Sequence, residues 1–171
     1  MNDAEPKRGR KTTREPKLTH LDEQGRARMV DVGSKRPTER IAVAQAQVFM
    51  KPETLALIMD AGLKKGDALA VAQVAGIMAA KRTYELIPMC HPIKISAVNL
   101  EFAIDTEASS ITVVATAKTR DRTGIEMEAL TAAATAALTI YDMCKGVDRA
   151  ITISNVQLQK KSGGRSGTFT R

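Results

Sequence analysis

Residues 94–120, KISAVNLEFAIDTEASSITVVATAKTR, decide the fold. Two runs rich in β-branched and apolar residues, KISAVNLEFAID and SSITVVATAKTR, flank a turn around TEASS and read as adjacent strands. What lies on either side fixes the class. Upstream, GDALAVAQVAGIMAAKRTYEL offers Asp67 as a helix N-cap and an apolar helical pattern ending before Pro88. Before it, KPETLALIMDAG carries Pro52 at a helix start and Gly62 beyond its last apolar residue, a short helix. Earlier still, RIAVAQAQVFM from Arg40 alternates in the manner of a strand. Downstream, IEMEALTAAATAALTIYDMCKGVD is the strongest helix, with Met127, Leu130, Ala134, Leu138 and Tyr141 on one stripe and Gly146 as its stop. AITISNVQLQKK is a final strand.

The order strand, helices, strand, strand, helix, strand is that of a ferredoxin-like βαββαβ sandwich, an α+β fold with an antiparallel sheet and helices on one face. The opposite sheet face is expected to carry Val98, Leu100, Val113 and Ile153. Such a face needs a cover, and self-association supplies one, so an oligomer is expected.

At 171 residues, 43% hydrophobic and 26% charged, the chain suits one soluble domain with tails. Its net charge of +7 raises the question of a polyanionic partner. Residues 1–17 hold six basic and three acidic residues, and residues 158–171 hold four basic and none acidic. The body, 18–157, holds sixteen of each and is neutral, so charge alone does not make it a nucleic-acid surface. We therefore expect a disordered basic arm (1–17), a single domain (18–157) and a flexible Gly/Lys/Arg-rich tail (158–171) that contributes to the site. The polar segment at 18–40 is a functional flap or partly mobile. Two cysteines, Cys90 and Cys144, form neither a disulfide framework nor a CxxC zinc motif. The N-terminus carries no apolar signal region, and ALAVAQVAGIMAA is too short to span a bilayer, so a cytoplasmic location without a membrane partner is the expectation.

Several residues are placed for chemistry. His91 sits in PMCHP, bracketed by Pro88 and Pro92, which pre-set the direction of its imidazole for proton transfer or phosphate contact. A loop histidine that only bonds backbone fits the spacing as well. In TGIEMEALT, Glu126 and Glu128 share a face if they lie on an extended lead-in, and close carboxylates split their pKa values. Ordinary helix-start acids are the plainer alternative. Asp142 and Lys145 in IYDMCK stand three apart and can touch. Lysine suits a helix C-terminus, while a carboxylate there has the wrong sign, which suggests proton transfer as readily as an ion pair. Lys64, Lys65, Lys81 and Arg82 lie at or near helix ends, and KKSGGRSG joins Lys160, Lys161 and Arg165 to glycines in a possible phosphate cradle. A solvated tail fits the same residues. Glu128 and Asp142 are about 21 Å apart along one helix, so a site using both must draw on two protomers or on opposite sides of a cleft.

Taken together, LTHLDEQGRARMVDV, GDALAVAQVAGIMAAKRTYELIPMCHPI, RTGIEMEALTAAATAALTIYDMCK and KKSGGRSG closely resemble the cyclic pyranopterin monophosphate synthase (MoaC) family, from about Leu18 to Gly167. The resemblance implies a ferredoxin-like subunit, a homohexamer built as a trimer of dimers, and an active site at a dimer interface. It implies a substrate, 3′,8-cyclo-7,8-dihydro-GTP, converted to cyclic pyranopterin monophosphate with release of pyrophosphate in molybdenum-cofactor biosynthesis. No cofactor or metal is implied. The family's functional positions fall on Lys65 of KKGD, where Lys64 is the rival, on Met89, Cys90 and His91, and on Glu126, Met127 and Glu128. They also fall on Asp142, Lys145 and Lys161. The implied roles are proton transfer by Asp142 and Lys145, with Lys65 as supporting acid or phosphate contact. His91, Arg82 and Lys161 would hold phosphates, Arg82 by charge and position alone. Glu126 and Glu128 would accept bonds from the guanidine-like ring edge.

Two other classes compete with this reading. An RNA-recognition module stacks bases on sheet aromatics, and the strands offer only Phe49 and Phe102. A purely structural oligomer predicts that His91→Ala and Asp142→Asn change nothing.

Overall fold

The computed structural model describes residues 20–60 and 67–171. It divides into two units, residues 1–30 and residues 31–171. In the first, Leu21 bridges Ala27, and the Asp22 carboxylate accepts from the Gln24 and Arg26 N–H groups and from Arg26 Nε.

The second unit runs β1 (Thr38–Phe49), α1 (Pro52–Met59), α2 (Ala68–Lys81), α3 (Thr83–Leu86), β2 (Ile95–Asp105), β3 (Ser110–Asp121), α4 (Glu126–Cys144), β4 (Thr152–Ser162) and β5 (Phe169–Thr170). The sheet order is β2-β3-β1-β4-β5, with every pairing antiparallel. The first four strands in that order make the ferredoxin-like sheet expected from the sequence. The chain leaves β4 through Gly163, Gly164 and Gly167, all with positive φ, and returns as β5 against Lys160 and Lys161. At Gly163 (φ 95°) a Cβ would lie 2.1 Å from the Glu39 carbonyl oxygen, so only glycine lets this turn close against β1.

Side-chain size sets how closely the layers approach. Ala42, Ala44, Ala46, Ala115 and Ala117 line the helix-facing side of the sheet and are fully buried. Opposite them α4 presents Ala129, Ala132, Ala133, Ala136, Ala137, Ile140 and Cys144. The apolar stripe expected on α4 is therefore displaced. Leu138 is 58% exposed, and the inward face is the alanine one, because small side chains let the helix lie close to the sheet. The sheet's sidedness also differs from expectation. Leu100 and Val113 are buried, and Val98 and Ile153 pack against that same core. The far face instead carries a polar ladder, in which Gln47 donates to Thr112 and accepts from Asn155. The four residues expected to form an apolar outer face therefore belong to the core side.

Where one helix was expected from Asp67 to Pro88, two occur. Asp67 does cap α2, accepting from the Leu69 and Ala70 N–H groups. The helix then breaks at Arg82, and the buried Thr83 hydroxyl donates back to the Ala79 and Ala80 carbonyls, a bonding pattern that bends helices. The buried Asp148 carboxylate, between α4 and β4, accepts from the Lys51 N–H, the Thr54 hydroxyl and the Ala150 N–H, which ties the start of α1 to the end of α4.

Candidate active site

α4 has chemistry at both ends. It begins at Glu126, so Glu126 and Glu128 sit within its first turn and not on an extended lead-in. On a helix, positions two apart diverge. Glu128 turns inward and is 4% exposed, while Glu126 turns toward β4. There Lys161 Nζ donates to Glu126 Oε1 at 2.9 Å, with both side chains about seven-tenths covered. The Ser166 hydroxyl lies 3.4 Å from the same ammonium. Gly124 makes room for the carboxylate, since a Cβ there would stand 1.8 Å from Glu126 Oε2.

Burial pushes the Glu128 carboxyl up to about 7, and the charge on Glu126 adds to the effect. A carboxyl poised there can give or take a proton at neutral pH. Cys90 lies close enough for the Glu128 charge to act on its thiol, which burial first and that charge second raise above the ordinary range. The Cys90 thiol is accordingly held toward its neutral form. Met89 and His91, on either side of Cys90, are half-buried on the same loop between α3 and β2. The structure thus gathers Glu126, Glu128, Lys161 and Cys90 around the start of α4. Met127, in the same turn, is half-buried.

The other end differs. Lys145 Nζ meets Asp142 Oδ1 at 2.5 Å, with side chains 52% and 58% exposed. The Asp142 hydrogen bond and charge hold the Lys145 ammonium above its usual range. This pair is about 21 Å along the helix from Glu128 and stands apart from the group at its start. Arg82 is exposed at the α2–α3 break. Lys65 and Lys64 lie outside the described residues.

A group of cations emerges, of which motif spacing had pointed to Arg165 alone. Ser34, Lys35, Arg36, Thr38, Arg40, Gly164 and Arg165 line a cavity of about 420 Å³. Arg40 is fixed by bonds from Nε to the Asp121 carbonyl and from an Nη to the Arg122 carbonyl. It also borders a small cavity shared with Gly124, Glu126 and Lys161. The signal was the register: Ile41 pairs with Ser162, which brings KRPTER beside KKSGGR. Together these cations suit a polyphosphate, and the carboxylates next to them suit a donor-rich ring. No cluster of three metal-ligating side chains occurs among the described residues, and no described helix is long and apolar enough to cross a membrane.

Comparison with known proteins extends this picture. The profile of the MoaC family matches residues 29–164. A protein of Syntrophomonas wolfei named cyclic pyranopterin monophosphate synthase is 59% identical over 90% of this chain and 98% of its own length. Proteins of the same name from Brevibacillus brevis and Chloroflexus aurantiacus are 55% and 58% identical over 90% of this chain, covering 96% and 94% of theirs.

Proposed function

This chain belongs to the MoaC family, and on that premise we propose that it is a cyclic pyranopterin monophosphate synthase, a lyase of molybdenum-cofactor biosynthesis. It converts 3′,8-cyclo-7,8-dihydro-GTP to cyclic pyranopterin monophosphate and releases pyrophosphate. The observation that carries the reading is identity of more than half the aligned residues to enzymes of that name along nearly their whole length. The juxtaposition of carboxylates and cations at the start of α4 supports it.

The reaction opens and rebuilds a purine-derived ring and closes a cyclic phosphate as pyrophosphate leaves. It therefore needs proton donors and acceptors near the ring and cations along the phosphates. Glu126 and Glu128 accept bonds from the ring's guanidine-like edge, and the near-neutral carboxyl of Glu128 adapts to either protonation state of that edge. Lys161, Arg40 and Arg165 hold the phosphate chain, and His91 and Arg82 assist. Met89, Cys90 and Met127 form the wall. Asp142 and Lys145 transfer protons, with Lys65 supporting them. Because one α4 holds Glu128 and Asp142 so far apart, each site combines the start of one chain's helix with the end of another's. A hexamer of three dimers satisfies that requirement.

The test supplies purified protein with the cyclic dihydro-GTP intermediate and measures pyrophosphate by mass spectrometry. Asp142→Asn should keep the wild-type melting temperature and assembly yet lose about 10²–10⁴-fold in turnover, the usual size of a general acid–base contribution. Wild-type turnover in that variant would refute the assignment.

A further inference from the structure

The site contains an ion pair between two groups assigned to opposite ends of the substrate. Lys161 is assigned to phosphate and Glu126 to the ring edge, yet they bond each other at 2.9 Å. Each stands where part of the ligand belongs: the Glu126 carboxylate imitates a phosphate oxygen, and the Lys161 ammonium imitates a guanidine N–H. We propose that this pair makes the site selective for ligands carrying both a phosphate chain and a donor-rich edge, and turns away ligands that are phosphate alone, the product pyrophosphate included. The inference rests on the functional reading above and adds a specificity role for the pair.

The physical argument is one of exchange. A phosphate oxygen that reaches Lys161 must displace Glu126. A ligand with both ends re-pairs both groups, so one ion pair is replaced by two charge-assisted contacts. Bare pyrophosphate re-pairs only Lys161 and leaves Glu126 facing a like charge in a partly covered site, which opposes binding. The surroundings sharpen the effect. Among the described residues, Glu126 is the one carboxylate bordering the small cavity it shares with Arg40, Gly124, Lys161 and Gly163. The neighbouring cationic cavity holds Lys35, Arg36, Arg40 and Arg165 and by charge alone would accept any polyphosphate. A built-in anion at its edge is what discriminates among them. The same device helps product leave, since Glu126 recaptures Lys161 once the ring has let go.

Calorimetric titration of the full chain with inorganic pyrophosphate tests this, using wild type, Glu126→Gln and Lys161→Met, with thermal melts confirming the fold. Glu126→Gln should bind pyrophosphate about fivefold more tightly, in the range of a partly covered ion pair, while its KM for the cyclic nucleotide rises. Opposite signs for the two ligands are the signature. Equal or weaker pyrophosphate binding in Glu126→Gln overturns the proposal. Unchanged pyrophosphate affinity in Lys161→Met removes instead the assignment of Lys161 to phosphate, and the proposal with it. Glu126→Asp, which shortens the reach and keeps the charge, covers the case in which the glutamine variant does not fold. It should tighten pyrophosphate by a smaller factor, and no tightening counts against the idea.

Discussion

At the scale of single residues, Glu128 carries the sharpest consequence. Its carboxyl titrates near 7 in the folded chain and near its ordinary 4.5 when unfolded, chiefly because it is buried. Between those values the native state keeps a proton that the unfolded state has released. Stability therefore falls as pH rises through that window and levels off above it. A shift of this size corresponds to about 3 kcal/mol. Glu128→Gln, a neutral isostere, should abolish the fall: urea unfolding at pH 5 and pH 8 should give the wild type a clear loss and the variant little. Equal losses in both proteins would leave the burial argument without support. The variant should lose activity as it gains stability at pH 8 if the carboxyl serves the site as proposed.

Among the elements, α2 shows how tightly the helix layer is built. Asp67 bonds the first free N–H groups of α2 and directly follows the KKG stretch that carries Lys64 and Lys65. Asp67→Ala should cost about 1 kcal/mol in denaturant unfolding. Further along, Gly76 meets β2 and α4: a Cβ there would stand 2.5 Å from Leu100 Cδ2 and 2.9 Å from the Ala132 carbonyl oxygen. Leu100 can rotate away, but a helix backbone cannot, so Gly76→Val should destabilise by about 2 kcal/mol or more, read from the same unfolding curves. Much of this layer was legible beforehand. Pro52, Asp67 and the TEASS turn place their elements by chemistry that acts within a few residues. The face assignments were not, because alternation in RIAVAQAQVFM fixes the period of a strand but not which phase is buried. Ala42, Ala44 and Ala46 turned inward because α4 lies too close for anything larger. In the site, the Asp142–Lys145 contact followed from helical spacing. The contact of Glu126 with Lys161 joins residues 35 apart on a helix and a strand, and the grouping of Arg40 with Arg165 depends on β1–β4 register across more than a hundred residues of chain; neither has a local signal.

For the whole molecule, the proposed site predicts that copies meet with the start of one α4 near the end of another. Exposed apolar residues lie in both layers, with Val71, Val74 and Met78 on α2 and Leu138 on α4, and Ile41 on β1 and Val156 on β4. Contact between copies is expected there, and light scattering of the purified chain should report a mass well above 18.5 kDa. Complementation is the stricter test. Separately inactive Asp142→Asn and Glu128→Gln chains, mixed one to one under conditions that allow exchange, should regain about one quarter of wild-type activity. In a mixed dimer one of the two shared sites is intact, and half of the dimers are mixed. No recovery despite proven exchange would mean that each site belongs to a single chain.

The close seat of α4 on its bed of alanines has one more effect. A seat lined by methyl groups has no room for added bulk, so a larger side chain at Ala132, Ala133 or Ala136 would lever the helix away from the sheet and carry Glu126 and Glu128 with it.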